Sequence, residues 1–597
     1  MTRLDKPSSL ELGVIGNCSV SALVDQYGAY VWSCLPHFAG DPAFCQLLEP
    51  TDREIGFMDV ELDGFVRSEQ SYIPNTPVLV TVLEDNRGGA VEITDFSPRF
   101  RANDRLYHPL MFIRIVRPLR GLPRMRFRVR PTTGWGSARA STTTGSNHIR
   151  FLLSDMVLRL TTNMSVPTVE RELPWVLEGP VAMVLGPDET LGTAVDRFAT
   201  DALDRTVDHW RRWSRSLNVP LDWQEAVIRA AITLKLSQYE GTGAIVAAMT
   251  TSVPEAADTE RNWDYRYCWL RDAAYVVRAL NGLGTTQSME EYLRYLYTIA
   301  SGSPDLQPVY GIHYEASLLE REEEHLGGYQ GMGPVRVGND AWRQRQHDTY
   351  GSVVLASTHL FFDQRLSAPG DEAAFARLEI IGEKAASLYD QPDAGLWEYR
   401  GREAVHTYSS VMCWAACDRL ARIAAHLNLA DRAAMWRNRA DGMRKRIIEE
   451  SYDEKRQTFV ATWGGESMDA ALLTLHSLGF VAADDPRFIG TVAAVEQDLL
   501  HGDHVFRYVE PDDFGQPETA FLLCTFWYID ALAALGRLDE ARQMFVDLLE
   551  RRNNLGLLSE DIDVTSRALW GNFPQTYSMV GIIESARRLS RPWEVAS

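Results

Sequence analysis

From Leu221 to the end of the chain, helical segments of two kinds alternate, and this alternation most restricts the possible fold. Segments starting near 269 (WLRDAAYVVRAL), 349 (TYGSVVLASTHLFF), 408 (YSSVMCWAACDRL), 467 (SMDAALLTLHSLGF), 518 (ETAFLLCTFWYIDALAAL) and 575 (QTYSMVGIIESA) are apolar on nearly every face. Those near 287, 373, 429, 485 and 537 carry a charged stripe, as in ADRAAMWRNRADGMRKRIIEE. The first segment, near 221, gathers Trp223, Val227, Ala230, Ala231 and Leu234 on one face. A helix apolar all round must be buried, whereas one with a charged stripe can face water. Twelve segments in this order predict six inner helices within six outer ones, an (α/α)6 barrel or six-hairpin toroid. A solenoid of helix pairs is the competing layout. It predicts a recurring repeat, and none is visible.

Before this point the period is different. From residue 10 to about 195, stretches such as PVLVTVLED, MRFRVRPTTGW and HIRFLLSDMVLRLTTN alternate apolar and polar residues between Gly, Asn and Pro. That pattern predicts strands of an antiparallel β-sandwich. The expected organisation is a β-domain over 1–200, a connecting helix over 201–220 (within ALDRTVDHWRRWSRSLNV) and a helical domain over 221–597. A chain of 597 residues is long enough for two domains.

The formal net charge of −21 argues against nucleic acid or an anionic membrane as partner. The N-terminus MTRLDKPSSLELGV lacks the apolar stretch of a secretory signal, and the apolar run from Ala520 is interrupted by Asp530. A cytoplasmic location is the expectation. Cys18, Cys34, Cys45, Cys268, Cys413, Cys417 and Cys524 have no disulfide-framework spacing and read as reduced, packed thiols. No metal or cofactor is expected. His501 and His504 lack further ligands, DIDVTSRALWG lacks calcium-loop periodicity, and no Lys-Ser/Thr follows GGYQGMG.

The segments leading into the inner helices are unusual for connectors. RNWDYRYCWLRDA, GGYQGMGPVRVGNDAWRQRQHDTYG, DAGLWEYRG, FRYVEPDDFGQPE and SEDIDVTSRALWGNFPQ are aromatic, Gly-rich and dense in carboxylates. Each joins an outer helix to an inner one, so all five gather at one mouth of the ring. Long loops of this kind on a rigid scaffold predict the active site. Trp and Tyr beside Asp, Glu and Arg suit a sugar: its C–H face rests on a ring while hydroxyls meet charged hydrogen-bonding groups. Each of Trp263, Trp269 and Trp397 alone would read as a core aromatic, but five such clusters at one rim do not.

WDYRYCWLRDA, GLWEYRG, CTFWYIDAL and SEDID followed by GNFPQ resemble glycoside hydrolase family 15, the glucoamylases and bacterial trehalases. The opening LGVIGNCSVSALVDQYGAYVWSCLPHF looks like the N-terminal β-domain of the trehalase-like branch. The resemblance implies an inverting, exo-acting hydrolase of an α-glucosidic bond that releases β-glucose. It implies Glu398 as general acid and Glu560 as general base. An inverting pair stands about 6.5–9.5 Å apart, with room for water. The residues implied to hold the glucose are Arg271 and Asp272, with Tyr265, Trp269 and Trp397 as surrounding rings and Gln346 and Asp348 as a further wall. An apolar shell from Trp397 and Tyr399 would keep Glu398 protonated, and Asp561 and Asp563 would raise the proton affinity of Glu560. Glu510, Asp512, Asp513 and Glu518 are the rival bases. Two loops depart from the family pattern, PHFAGDPAF and DDFGQPETAF, which bears on the aglycone.

The expected substrate is a small α-glucoside, trehalose or a short α-glucan, with glucoamylase action on α-1,4/1,6-glucooligosaccharides as the near alternative. An inverting phosphorylase would need a phosphate pocket. A non-catalytic carbohydrate-binding protein would not need both glutamates.

Overall fold

The computed structural model describes residues 6–303 and 305–596. The strand-rich part forms two antiparallel sheets. The first has seven strands, ordered Leu12–Gly16, Ser21–Asp25, Tyr30–Leu35, Phe57–Leu62, Arg124–Arg130, Trp175–Val176, with Asp41–Phe44 paired beside Tyr30–Leu35. The second has eight, from Ser141–Thr144 through Val181–Pro187 and Phe112–Arg120 to Phe65–Tyr72 at its edge.

The two sheets bury their apolar faces differently. Leu79–Asp85 in the second sheet alternates buried and half-buried positions, so Leu79 and Leu83 point into the sandwich. Strands Leu12–Gly16 and Tyr30–Leu35 in the first are buried at every position. One face, with Ile15, Val24 and Tyr30, packs on the second sheet. The other, with Leu12, Val14, Leu23 and Trp32, packs on the helical domain. The helix Val195–Arg215 lies along the far side of the second sheet, where Val195, Ala199 and Ala202 cover Phe96, Ile113 and Val184. The layers therefore run helix, sheet, sheet, barrel.

The barrel closes through six inner segments, each packed on the next: Leu270–Gly282, Asp348–Phe362, Thr407–His426, Ala470–Thr474, Leu522–Ala534 and Thr576–Leu589, which returns to the first. Helices Gln224–Leu236, Gln287–Ala300, Glu372–Leu388, Ala430–Ser451, Pro486–Asp498 and Leu538–Leu549 stand outside them. This is an (α/α)6 barrel, and its two rings follow the alternation in the sequence. Leu522–Ala534 is buried except at Asp530 and Ala534. Ala430–Ser451 buries one stripe, Trp436, Ala440, Met443, Ile447 and Ser451.

One inner segment differs from expectation. The stretch near 467 forms only a short 3-10 turn, Ala470–Thr474, and then loops to Gly479. Asp469 is held at its start by the indole N–H of Trp397 (2.9 Å) and caps Ala471 N–H (2.7 Å). Apolar composition on every side reports burial, not helix length, so the sequence looked helical there.

All seven cysteines are buried and unbridged. Among the described residues no helix is long and apolar enough to cross a membrane.

Candidate active site

The five loops meet over the barrel around a cavity of about 820 Å³. Of the residues named from sequence, Tyr265, Trp269, Arg271, Asp272, Trp397, Glu398 and Glu560 line it. Gln346 and Asp348 do not. They stand behind Arg271, whose Nη1 donates to Gln346 Oε1 (2.8 Å) and lies 3.3 Å from Asp348 Oδ2. Their position makes them supports for a guanidinium group rather than a wall of the cavity.

Glu398 sits in a tight turn. Its N–H donates to Gly395 O (3.2 Å) and Tyr399 N–H to Ala394 O (3.1 Å), while Asp393 accepts from Gly395 and from His347 N–H. The turn puts Glu398 at φ +61°, a left-handed conformation that costs an L residue on the order of 1–3 kcal/mol. The strain aims the carboxyl at the cavity, where Oε1 accepts from Trp269 Nε1 (2.6 Å) and lies 3.5 Å from Arg271 Nη2. Trp397 packs on Phe521 and Trp527, and Tyr399 on His406 and Tyr508, and both rings line the same cavity as Glu398.

Glu560 precedes the strand Asp561–Ile562, which lies between Ala520–Phe521 and Leu569–Trp570. Its carboxyl accepts from Tyr265 OH (2.7 Å) and from Asn572 N–H (3.3 Å). Gly571, at φ +77°, lets the GNFPQ turn come this close, since a Cβ there would stand 2.6 Å from that of Glu560. Tyr265 and Trp269 pack edge to face at 5.4 Å. The two glutamates are therefore joined across the cavity by two aromatic side chains, each hydrogen-bonded to one carboxyl.

Burial pushes Glu560 well above the usual carboxylate range. Asp561 and Glu255 push it further, while the Tyr265 hydrogen bond and Arg507 oppose them. Asp563 accepts the N–H groups of Thr565 and Ser566 and is not among the main causes. Glu255, Glu560 and Asp561 bring one oxygen each within 4.8 Å of one another. Arg507 and Arg261 both donate to Glu255, so a cation there would compete with two guanidinium groups. Asp561 is raised by burial and then by Glu255. Its Oδ1 has Thr519 (3.2 Å), but its buried Oδ2 has no partner.

On the opposite wall Asp272 is raised to about 6 by burial, which the charge of Arg271 opposes. Its Oδ2 is buried without a hydrogen bond, 3.5 Å from Arg271 Nε. Arg271 is itself fixed by Tyr577 (3.0 Å) as well as Gln346.

The rival bases are committed elsewhere or stand off the cavity. Asp512 pairs with Arg261 through two hydrogen bonds (both 2.7 Å) and accepts from Tyr508. Burial would raise it, but these bonds outweigh burial and hold it at about 2. Asp513 accepts the N–H of Arg400 at the rim (2.7 Å). Glu510 and Glu518 do not line the cavity.

Glu255, Arg507 and Tyr577 also reach the site, and sequence reasoning did not single them out. Arg507 lies inside a loop marked as the mouth, where the signal was present but diluted, and Tyr577 stands in the first turn of an inner helix, just past such a loop. Glu255 lies in VPEAAD, which carries no such signal.

The family model for glycosyl hydrolases family 15 matches residues 222–587. A trehalase of Thermoplasma volcanium is 32% identical, over 97% of this chain and 93% of its own. A trehalase of Mycobacterium tuberculosis is 30% identical, over 99% of this chain and 91% of its own. A crystal structure of a bacterial glucoamylase complexed with acarbose superposes with a TM-score of 0.69, covering 98% of this chain and 94% of that one at 14% identity.

Proposed function

The chain belongs to glycosyl hydrolases family 15 and is a glycoside hydrolase, and on that footing we propose that it cleaves trehalose with inversion. Glu398 acts as general acid and Glu560 as general base. The observation that carries this reading is the pairing of the two carboxyls across one cavity through Trp269 and Tyr265. Trehalose is favoured because curated trehalases match along both parts of the chain, the β-domain included.

The geometry supports a simple sequence of events. Arg271 and Asp272 hold the hydroxyls of one glucose, and Tyr265 and Trp269 pack around it. Glu398 gives its proton to the bridging oxygen as the glycosidic bond breaks. A water held by Glu560 loses a proton to it and attacks the anomeric carbon from the other face. The domain limits 1–200, 201–220 and 221–597 belong to the same reading, with all chemistry in the last.

Following the anomeric protons by NMR tests the reaction. Trehalose should give equal α- and β-glucose at first, because inversion of one ring yields β while the departing ring stays α. Maltose, isomaltose and maltotriose should be slower. Initial α-glucose only would overturn inversion. Glucose 1-phosphate in phosphate buffer would overturn hydrolysis, and a faster rate on maltose or maltotriose would move the assignment to glucoamylase action.

Asp561 gives a second test. A base must be ionised, and Asp561 adds to the cost of ionising Glu560. Asp561→Asn puts a neutral amide where a second carboxyl competes with Glu560 to ionise, so Glu560 should hold its proton less tightly. The acid limb of kcat/KM against pH should move to lower pH, with little change at the optimum. An unmoved limb, or one moved upward, would count against Glu560 as base.

A further inference from the structure

Ten arginines are buried among the described residues, and nine of them have a carboxylate oxygen within 4 Å. The exception is Arg229, which is 9% exposed. Its guanidinium group lies 3.6 Å over the ring of Tyr72, and Nη2 donates to Thr76 O (2.8 Å). Nη1 is buried without any partner. Arg552 lies beside it, with Nε on Leu549 O (2.8 Å) and no carboxylate in ion-pair contact among the described residues. The two side chains converge on one turn: a Cβ at Gly556 would meet Arg229 Cγ at 3.3 Å and Arg552 Nη1 at 3.6 Å.

Both line a groove of about 1210 Å³ at the seam between the sandwich and the barrel. Ser71, Tyr72 and Asn75 come from one side, and Asn553 and Asn554 from the other. The groove shares no residue with the active-site cavity. Elsewhere among the described residues a buried arginine is answered by a carboxylate, as burial of charge requires. Here two cations face one groove, and the acid nearest them, Glu225, is exposed. Burial pulls both guanidinium groups below their usual range, with Tyr72 and Glu225 opposing it at Arg229 and Glu225 at Arg552. With a net charge of −21 the molecule has no general attraction for anions, so the effect is local.

We propose that this seam is a binding site for a phosphate-class oxyanion, held by Arg229 and Arg552 and bridging the two domains. A tetrahedral oxyanion in the groove supplies the negative charge that no carboxylate supplies to Arg229 and offers acceptors to the half-buried guanidinium group of Arg552, and guanidinium groups bind such oxygens in pairs.

Isothermal titration with inorganic phosphate, at an ionic strength fixed with KCl, tests it. The expected result is one saturable site per chain. Arg552→Gln, at a half-buried position, should weaken it about tenfold or more, the loss of a hydrogen bond to charge, and keep the wild-type hydrolytic rate. Arg229→Gln should do the same; should it unfold, the Arg552→Gln comparison still decides. A parallel titration with a sugar monophosphate separates sources: tighter binding than inorganic phosphate assigns the site to a phosphate ester, weaker binding to the free anion. No saturable heat beyond chloride, or unchanged affinity in Arg552→Gln, would overturn the proposal. The second outcome would put phosphate in the active-site cavity instead.

Discussion

Glu398→Gln is expected to lower kcat on trehalose by roughly 10²–10⁴-fold, the range for loss of a general acid, with the fold intact. The amide is isosteric, keeps an oxygen for the Trp269 indole, and sits on a side chain a quarter exposed. The loss corresponds to about 3–5 kcal/mol of transition-state stabilisation. The defect should depend on the leaving group. A sugar alcohol must be protonated to leave, whereas fluoride needs little help. On α-glucosyl fluoride the variant should therefore approach the wild-type rate, and steady-state kinetics on the two substrates would read the split. An equal loss on both would remove Glu398 from the acid role, and full activity on trehalose would remove it from the chemistry.

Glu560→Gln is expected to be as severe on trehalose, roughly 10²–10⁴-fold, and equally severe on the fluoride. A missing base leaves water unactivated whatever departs. Stability should move the other way. Glu560 is buried beside Asp561 and Glu255 and is pushed towards its neutral form by burial and by those charges. A neutral amide there relieves repulsion, so Tm should hold or rise in calorimetry. An inactive variant of undiminished Tm separates a chemical role from a structural one. Retention of the wild-type rate on either substrate would exclude Glu560 as base.

What could be read from the sequence followed from burial. The inner and outer rings were visible because a helix buried on all sides and a helix with one wet face need different compositions, as Leu522–Ala534 and Ala430–Ser451 illustrate. The same rule misled at Ala470–Thr474, where composition was right and length was not. In the site, Tyr265, Trp269, Arg271, Asp272, Trp397, Glu398 and Glu560 were legible because they sit in dense aromatic and acidic loops at one mouth. Hidden were relations set by backbone direction. Glu398 stands at a positive φ that no sequence pattern announces, and Asp348 falls behind Arg271 because it begins an inner helix. Glu255 was invisible because nothing near it in sequence announces that Arg507, 252 residues on, will be its partner.

The first sheet, apolar on both faces, has a consequence for how the chain is made. Leu12, Val14 and Trp32 pack against the helical domain, and Leu555, far along the chain, belongs to the core of the sandwich. At about 5–20 residues per second, the ribosome delivers Leu555 tens of seconds after the first strands have emerged. Through that interval the sandwich core lacks Leu555, while its barrel-facing side meets its first partners only with Lys235, Leu236 and Met249. The nascent chain thus exposes apolar sheet surface until the barrel helices arrive to cover it, and its yield should depend on translation speed as well as on the final stability of the fold.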